Sequence, residues 1–219
     1  VSLLNYSYGG SSMSQLKLTA DSGGGTVAIK GPASTAGNAA LEMTVPSTAS
    51  GTLDSLNRAG NIIQVVQTVK ENSFYTTSST MTDITGMSVD ITPTSASNKI
   101  LINVSLCYGG DNAMIGAINL LRDSSITAQG AALSNATRCS FAVGTESGTN
   151  AEYYLRSASY QYLDSPNTTS TTTYKLQAAT LNSNFTFIVN TPYEGGIDQN
   201  TNTYVCRATS TITAMEVAA

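Results

Sequence analysis

Lys99-Ile100-Leu101-Ile102-Asn103-Val104-Ser105-Leu106-Cys107-Tyr108 is the stretch that decides the fold. Ile100, Ile102, Val104, Leu106 and Tyr108 fall on every second position, with Asn103 and Ser105 between them. Successive side chains of an extended strand point to opposite faces, so this run has one apolar and one polar wall. The same pattern recurs on both sides of it. Met87, Val89 and Ile91 alternate with Ser88 and Asp90 and stop at Pro93, while 62–70 is rich in Ile and Val. Further strands are predicted at 115–122, 138–143, 151–163, 171–179, 185–189 and 206–217. Loops of Gly, Asn, Ser and Asp separate them, and no amphipathic helix of ten residues intervenes. Repeated short strands without crossover helices favour an antiparallel β-sandwich or jelly roll over any βαβ fold.

Composition agrees with an all-β chain. Charged residues are 11% of the 219 residues, less than half the usual share of about 25%. Ser and Thr fill the gap at roughly a quarter of the chain. Thr, Val and Ile are β-branched, and Tyr, with 11 copies, is the commonest aromatic. Such side chains suit a pleated, half-buried surface and make poor helices. Hydrophobic residues, at 41%, suffice for a packed core.

Upstream of the main strand field the chain reads differently. Leu16 and Leu18, Val27 and Ile29, and Leu41, Met43 and Val45 each alternate with polar neighbours, and Gly-rich turns such as Gly23-Gly24-Gly25 separate the first two pairs. Three short strands cannot form a core alone, so their apolar face needs the rest of the chain or other subunits. The expected organisation is an N-terminal β stem or arm over 1–46, a linker over 47–60 and a β-sandwich, jelly-roll-like head over 61–219. One or two helical turns ending at Gly60 are expected within the linker. Three copies around an axis would cover the arm, so a homotrimer is expected.

Two stretches carry a resemblance. Leu16-Lys17-Leu18-Thr19-Ala20-Asp21-Ser22-Gly23-Gly24-Gly25-Thr26-Val27-Ala28-Ile29-Lys30-Gly31-Pro32-Ala33 and Asn38-Ala39-Ala40-Leu41-Glu42-Met43-Thr44-Val45-Pro46 resemble stem segments of tail-fibre-like proteins of cyanophages and other marine bacteriophages. The head is similar to the fibre heads that follow such stems, in Gly60-Asn61-Ile62-Ile63-Gln64-Val65-Val66-Gln67, in Asp83–Pro93, in Leu120–Ile126 and in the closing Ser210–Val217. The resemblance implies a homotrimer anchored through its N-terminal arm to other virion proteins, exposed on the virion with the head outward. It carries no catalytic residues. The short arm leaves two virion roles open: a fibre that contacts a host surface glycan or protein, and a capsid decoration (cement) protein that braces the head.

Chemistry is excluded more readily than found. The chain has no His, so Ser-His-Asp and Cys-His nucleophile systems and His-containing metal sites are ruled out. A carboxylate-dependent polysaccharide depolymerase remains conceivable with 14 Asp and Glu, among them Glu146, Glu152, Glu194 and Asp198. Surface carboxylates that keep an acidic protein soluble explain them better, and the chain is expected not to be an enzyme. Asp198-Gln199-Asn200-Thr201-Asn202 begins like a calcium loop but fails at Thr203 and Thr209. Neither a metal nor another cofactor is expected. The net charge is −4 without any basic patch, so nucleic-acid binding is not expected. No apolar run approaches the ~20 residues of a membrane span. Cys107, Cys139 and Cys206 are far apart and read as small, mostly buried thiols.

The candidate binding residues are Tyr153, Tyr154, Tyr160 and Tyr162, interleaved with Arg156, Gln161 and Asp164. Tyr combines a flat apolar face with a hydroxyl, which suits a sugar and equally suits a core or subunit interface. On a single strand Tyr154, Tyr160 and Tyr162 would share one face, with Tyr153 opposite.

Overall fold

The run beginning at Lys99 forms the strand around which one whole sheet is organised. The computed structural model describes residues 15–19, 26–30, 58–148, 151–193 and 205–219. Contacts divide the chain into two compact units, residues 1–53 and 54–219. In the first unit β1 (Gln15–Thr19) and β2 (Thr26–Lys30) pair antiparallel, with Leu16 opposite Ile29 and Leu18 opposite Val27. The strand expected at Leu41–Val45 and the turns expected at 52–57 lie outside the described residues. Arg58–Gly60 form a bend and turn, with Gly60 at φ +89°, a conformation glycine adopts without strain.

In the second unit the strands are β3 (Ile62–Lys70), β4 (Phe74–Thr76), β5 (Thr82–Ile91), β6 (Lys99–Gly110), β7 (Ile115–Arg122) and β8 (Ser125–Ile126). They continue with β9 (Phe141–Gly144), β10 (Arg156–Asp164), β11 (Thr172–Thr180), β12 (Phe187–Val189) and β13 (Ser210–Val217). All pairings are antiparallel. The described residues contain one short 3-10 turn, Ala151–Tyr153, and no α-helix.

Some strands are collinear pieces. β12 and β13 pair with the same edge of β6, and β4 and β3 pair with β12 and β13 in turn. β8 and β9 likewise share one edge of β7. Counted as columns along the chain, the first sheet runs 1-8-3-6 (β3/β4, β12/β13, β6, β10). The second runs 2-7-4-5 (β5, β11, β7, β8/β9). Column 1 pairs with 8, 2 with 7, 3 with 6 and 4 with 5. The chain is therefore one long nested hairpin rolled into two sheets, which is jelly-roll topology.

Between the sheets lies one apolar core. Ile100, Ile102, Val104 and Leu106 are fully buried and meet Met87 and Ile91 of β5, Ile118 and Leu120 of β7, and Tyr174 and Leu176 of β11. On β5, β6 and β10 burial follows the alternation because one face of the sheet looks inward, whereas β7 is buried on both faces, with Ala117, Asn119 and Leu121 covered as well as Ile118 and Leu120. Where β6 ends, Gly109 and Gly110 admit a crossing segment. A Cβ on Gly110 would stand 2.6 Å from the Thr186 carbonyl, and one on Gly109 2.8 Å from that of Thr191.

The two ends of the sandwich differ. At the near end the chain comes in at Asn61 beside its own last strand: Gly60 N donates to Ala218 O at 2.9 Å, and Ala218 N to Asn61 O at 2.9 Å. Glu216 of β13 is completely buried there. Its carboxylate accepts from Gln64 Nε2 (2.7 Å), Thr94 N (2.7 Å), Thr94 Oγ1 (2.8 Å) and Asn98 Nδ2 (2.7 Å). Burial alone would raise its pKa, but the bonds from Asn98, Gln64 and Thr94 outweigh this and hold it below the usual carboxylate range. Asp164 is buried at the same end, accepting from Arg122 Nη1 at 2.8 Å and Tyr174 Oη at 2.6 Å. The sequence expectation of surface carboxylates fails at these two positions. Each lies on the inner parity of its strand, where a ring of donors replaces water.

Two further expectations are corrected. The span 151–163 is not one strand: the 3-10 turn takes Ala151–Tyr153 and β10 begins at Arg156. None of the cysteines is fully buried; Cys107 and Cys139 are half-buried, Cys206 is exposed, and all three are free thiols. Cys107 sits on the outer parity of β6, and the other two lie in connections.

Candidate functional site

The tyrosine segment lies on column 6, which among the described residues pairs with β6 alone and so forms an edge of the first sheet. Register fixes where each ring points. Tyr160 is opposite Val104 and Tyr162 opposite Ile102, so both face inward and pack against the core from its rim. Tyr160 stacks on Phe141 of the facing sheet, with centroids 5.0 Å apart and planes inclined at 17°. Burial and the neighbouring Tyr162 raise its hydroxyl pKa, with a bond to Ser140 acting in the opposite direction. These two rings close the open side of the sandwich.

Tyr153 and Tyr154 precede the strand. Tyr153 ends the 3-10 turn and is half-buried, whereas Tyr154 is 60% exposed. The turn is tied down by Tyr193 N, which donates to Glu152 O at 2.9 Å. Of the four rings predicted from sequence, Tyr154 alone stands well into solvent, and it does so at the far end, opposite Asn61.

That far end also gathers the β6–β7, β9–β10 and β11–β12 connections. It is internally braced. Asp111 Oδ2 accepts from Thr186 N at 2.7 Å, Asn112 Oδ1 from Gly148 N at 2.8 Å, and Thr145 Oγ1 from Met114 N at 2.8 Å. The Thr145 hydroxyl donates to the Asp111 carbonyl. Ala113 takes φ +63° to close the turn, a conformation uncommon for a residue with a Cβ. Asp111 and Thr145 carry this arrangement, and an isolated Asp and Thr in sequence gave no sign of it.

Among the described residues no group of three His, Cys, Asp or Glu is placed to hold a metal. Glu146 is exposed and Glu152 half-buried, while Glu194 and Asp198–Asn202 lie outside the described residues.

The outer faces of the two sheets contrast. On the second sheet Asp83 accepts from Lys175 Nζ and Gln177 Nε2, each at 2.7 Å, and Asp90 from Thr173 Oγ1 at 2.6 Å, which makes a charged surface over β5 and β11. The bonds from Lys175 and Gln177 hold the Asp83 carboxyl below its ordinary value. The outer face of the first sheet carries Asn, Gln, Ser, Thr and aliphatic side chains with Met215, Cys107 and the exposed ring of Tyr75, and Lys99 at its rim is the one charged position on its strands.

No protein-family model and no curated protein sequence matches the chain. Solved structures of infectious bursal disease virus particles do. The T=1 particle structure is 14% identical with a TM-score of 0.33, covering 88% of this chain and 42% of that one. The VP2 subviral particle structure is 16% identical with a TM-score of 0.33, covering 89% and 47%. The Gx strain structure is 14% identical with a TM-score of 0.31, covering 89% and 43%. The chain thus spans less than half the length of these proteins, and the likeness is distant in sequence and in superposition.

Proposed function

We propose that this chain is a non-enzymatic structural protein of a virion, a fibre-like homotrimer whose head projects from a bacteriophage particle and contacts the host cell surface. The observation that carries the reading is the polarity of the head. The chain comes in at one end, and the opposite end presents braced loops and the exposed ring of Tyr154. A protein tethered by its N-terminal side would present that far end outward. The jelly roll supports the reading as a scaffold that recurs in viral capsid and lectin domains, although a fold alone does not fix function. The stem and head resemblance in the sequence supports it independently. Weak contacts at a loop end, repeated over three subunits and several fibres, add up to firm attachment without a deep pocket.

The test is to locate the chain on purified particles with an antibody raised against the head. A few copies at the tail support the fibre role. Many copies spread over the capsid would make this a decoration protein instead, and absence from the particle overturns both.

A further inference from the structure

The outer face of the first sheet holds an apolar row that the core does not use. Leu163, Leu101, Met215 and Val65 stand opposite one another in register across columns 6, 3, 8 and 1. The next row adds Val217 and Ile62. All have the outward parity of their strands, since Ile100 and Ile102 beside Leu101, Ala214 and Glu216 beside Met215, and Asp164 beside Leu163 are buried. Val65 is 55% exposed, Ile62 52% and Leu163 48%. A contiguous exposed apolar patch of this kind marks a contact surface.

Three observations point to the occupant. The chain carries a net charge of −4, yet this face has no carboxylate on its strands, while Asp83 and Asp90 line the outer face of the other sheet. It is the broad face on which another copy of the same acidic chain can approach without carboxylate meeting carboxylate, Lys99 at the rim being its one charge. Next, the row lies at the near end, beside Asn61, so copies joined there bring their incoming chains together. Finally, the width fits three. Four columns at ~4.8 Å make a face ~19 Å across, and three such faces set as a triangle stand ~5.5 Å from their common axis. Sheets packed face to face are ~10 Å apart, which is ~5 Å from each sheet to the midplane. One layer of side chains from each copy fills that space.

We infer that this face is the trimer interface: three heads turn their first sheets toward one axis, and the row from Leu163 to Val65 closes around it. The inference rests on the homotrimer reading above and adds the surface that makes it.

The test measures the mass of the full-length chain by sedimentation equilibrium, with Val65→Asp, Leu163→Asp and, as a control on the other sheet, Ser88→Asp. The wild type and Ser88→Asp are expected as trimers. Each row variant should raise the trimer dissociation constant at least ~100-fold, which is ~2.8 kcal/mol at 1.4 per decade. Far-UV circular dichroism should show the β signal retained. Should the aspartates disturb folding, a chain keeping Cys107 alone, with Cys139 and Cys206 replaced by Ser, supplies a second measurement. Cys107 lies on the same face, so a three-armed maleimide should join copies into covalent trimers. A wild-type trimer that the row variants leave intact and that Cys107 does not cross-link overturns the interface while sparing the homotrimer. A wild-type monomer or dimer overturns both.

Discussion

Replacing Glu216 by glutamine tests the least expected group in the head, a fully buried carboxylate whose recorded partners are all neutral donors. Glutamine keeps the shape but offers one acceptor oxygen. With its carbonyl at the Oε1 position it retains the bonds from Thr94 and Asn98, and its amide then faces Gln64 Nε2, which is already donating to Thr92 O at 2.7 Å. One charge-assisted bond is lost at about 2 kcal/mol and the others weaken toward neutral strength. Relief from burying a charge offsets part of this, leaving a net loss of about 2–3 kcal/mol at pH 7. Urea unfolding at fixed protomer concentration should therefore show a midpoint lower by roughly 1 M. The pH dependence is the sharper reading. The folded carboxyl titrates below its ordinary value of 4.5, so its stabilisation is complete above that pH and is lost as pH falls toward the folded value. In that window the wild type should lose up to about 1.4 kcal/mol per pH unit relative to Glu216→Gln, and the two curves should converge. Parallel curves from pH 7 to pH 3, or a variant as stable as the wild type, would refute the account.

Other sites give simpler tests. Tyr174→Phe removes the hydroxyl that bonds Asp164 and should cost about 1–3 kcal/mol in urea unfolding; that hydroxyl is held protonated throughout the accessible range by burial first and then by the bond to Asp164. Gly110→Ala forces a Cβ against the Thr186 carbonyl, a backbone atom that cannot swing aside, and should destabilise the head by about 1–3 kcal/mol or more. Asn190→Ala strips donors from the Lys70 and Asn72 carbonyls and leaves the left-handed φ of +68° to a residue that disfavours it; Asn190→Gly should recover the second loss alone, as thermal melts will show. Tyr154→Ala should leave the melting temperature within a degree or so of wild type while weakening attachment to host cells, whereas Tyr160→Ala should lower stability by about 2–3 kcal/mol through the lost stack on Phe141.

Period-two alternation exposed much of this fold in the sequence. Ile100 to Tyr108 needed no structural help, because a strand buried on one face writes that face into every second residue. β4 and β8 were missed, being too short to show a period. The order of the columns was hidden as well, since it depends on pairings such as Gln64 with Glu216 that no local pattern announces. The tyrosines were found by composition, but their roles were not. Two residues of register separate a ring from its neighbour on the same face, and only the turn at Ala151–Tyr153 takes Tyr154 out of that strand. Glu216 looked like any surface carboxylate because its donors come from two distant segments, β3 and the β5–β6 connection.

The nested hairpin sets an order on synthesis. β13 lies between β3 and β6, so a strand late in the chain is the keystone that joins two strands made long before it. Until it arrives, β3 has no partner and β6 lacks the neighbour that Ile212 and Ala214 supply. Pairs close in sequence, such as β7 with β9, are expected to form first and the pairing of β3 with β13, which spans most of the head, last, a route slowed by its topology. A chain broken off before Ser210 would leave the facing edges of β3 and β6 bare and would lack Met215 from the outer row. Chains cut short of that point are thus expected to aggregate or be degraded through those open edges rather than to assemble.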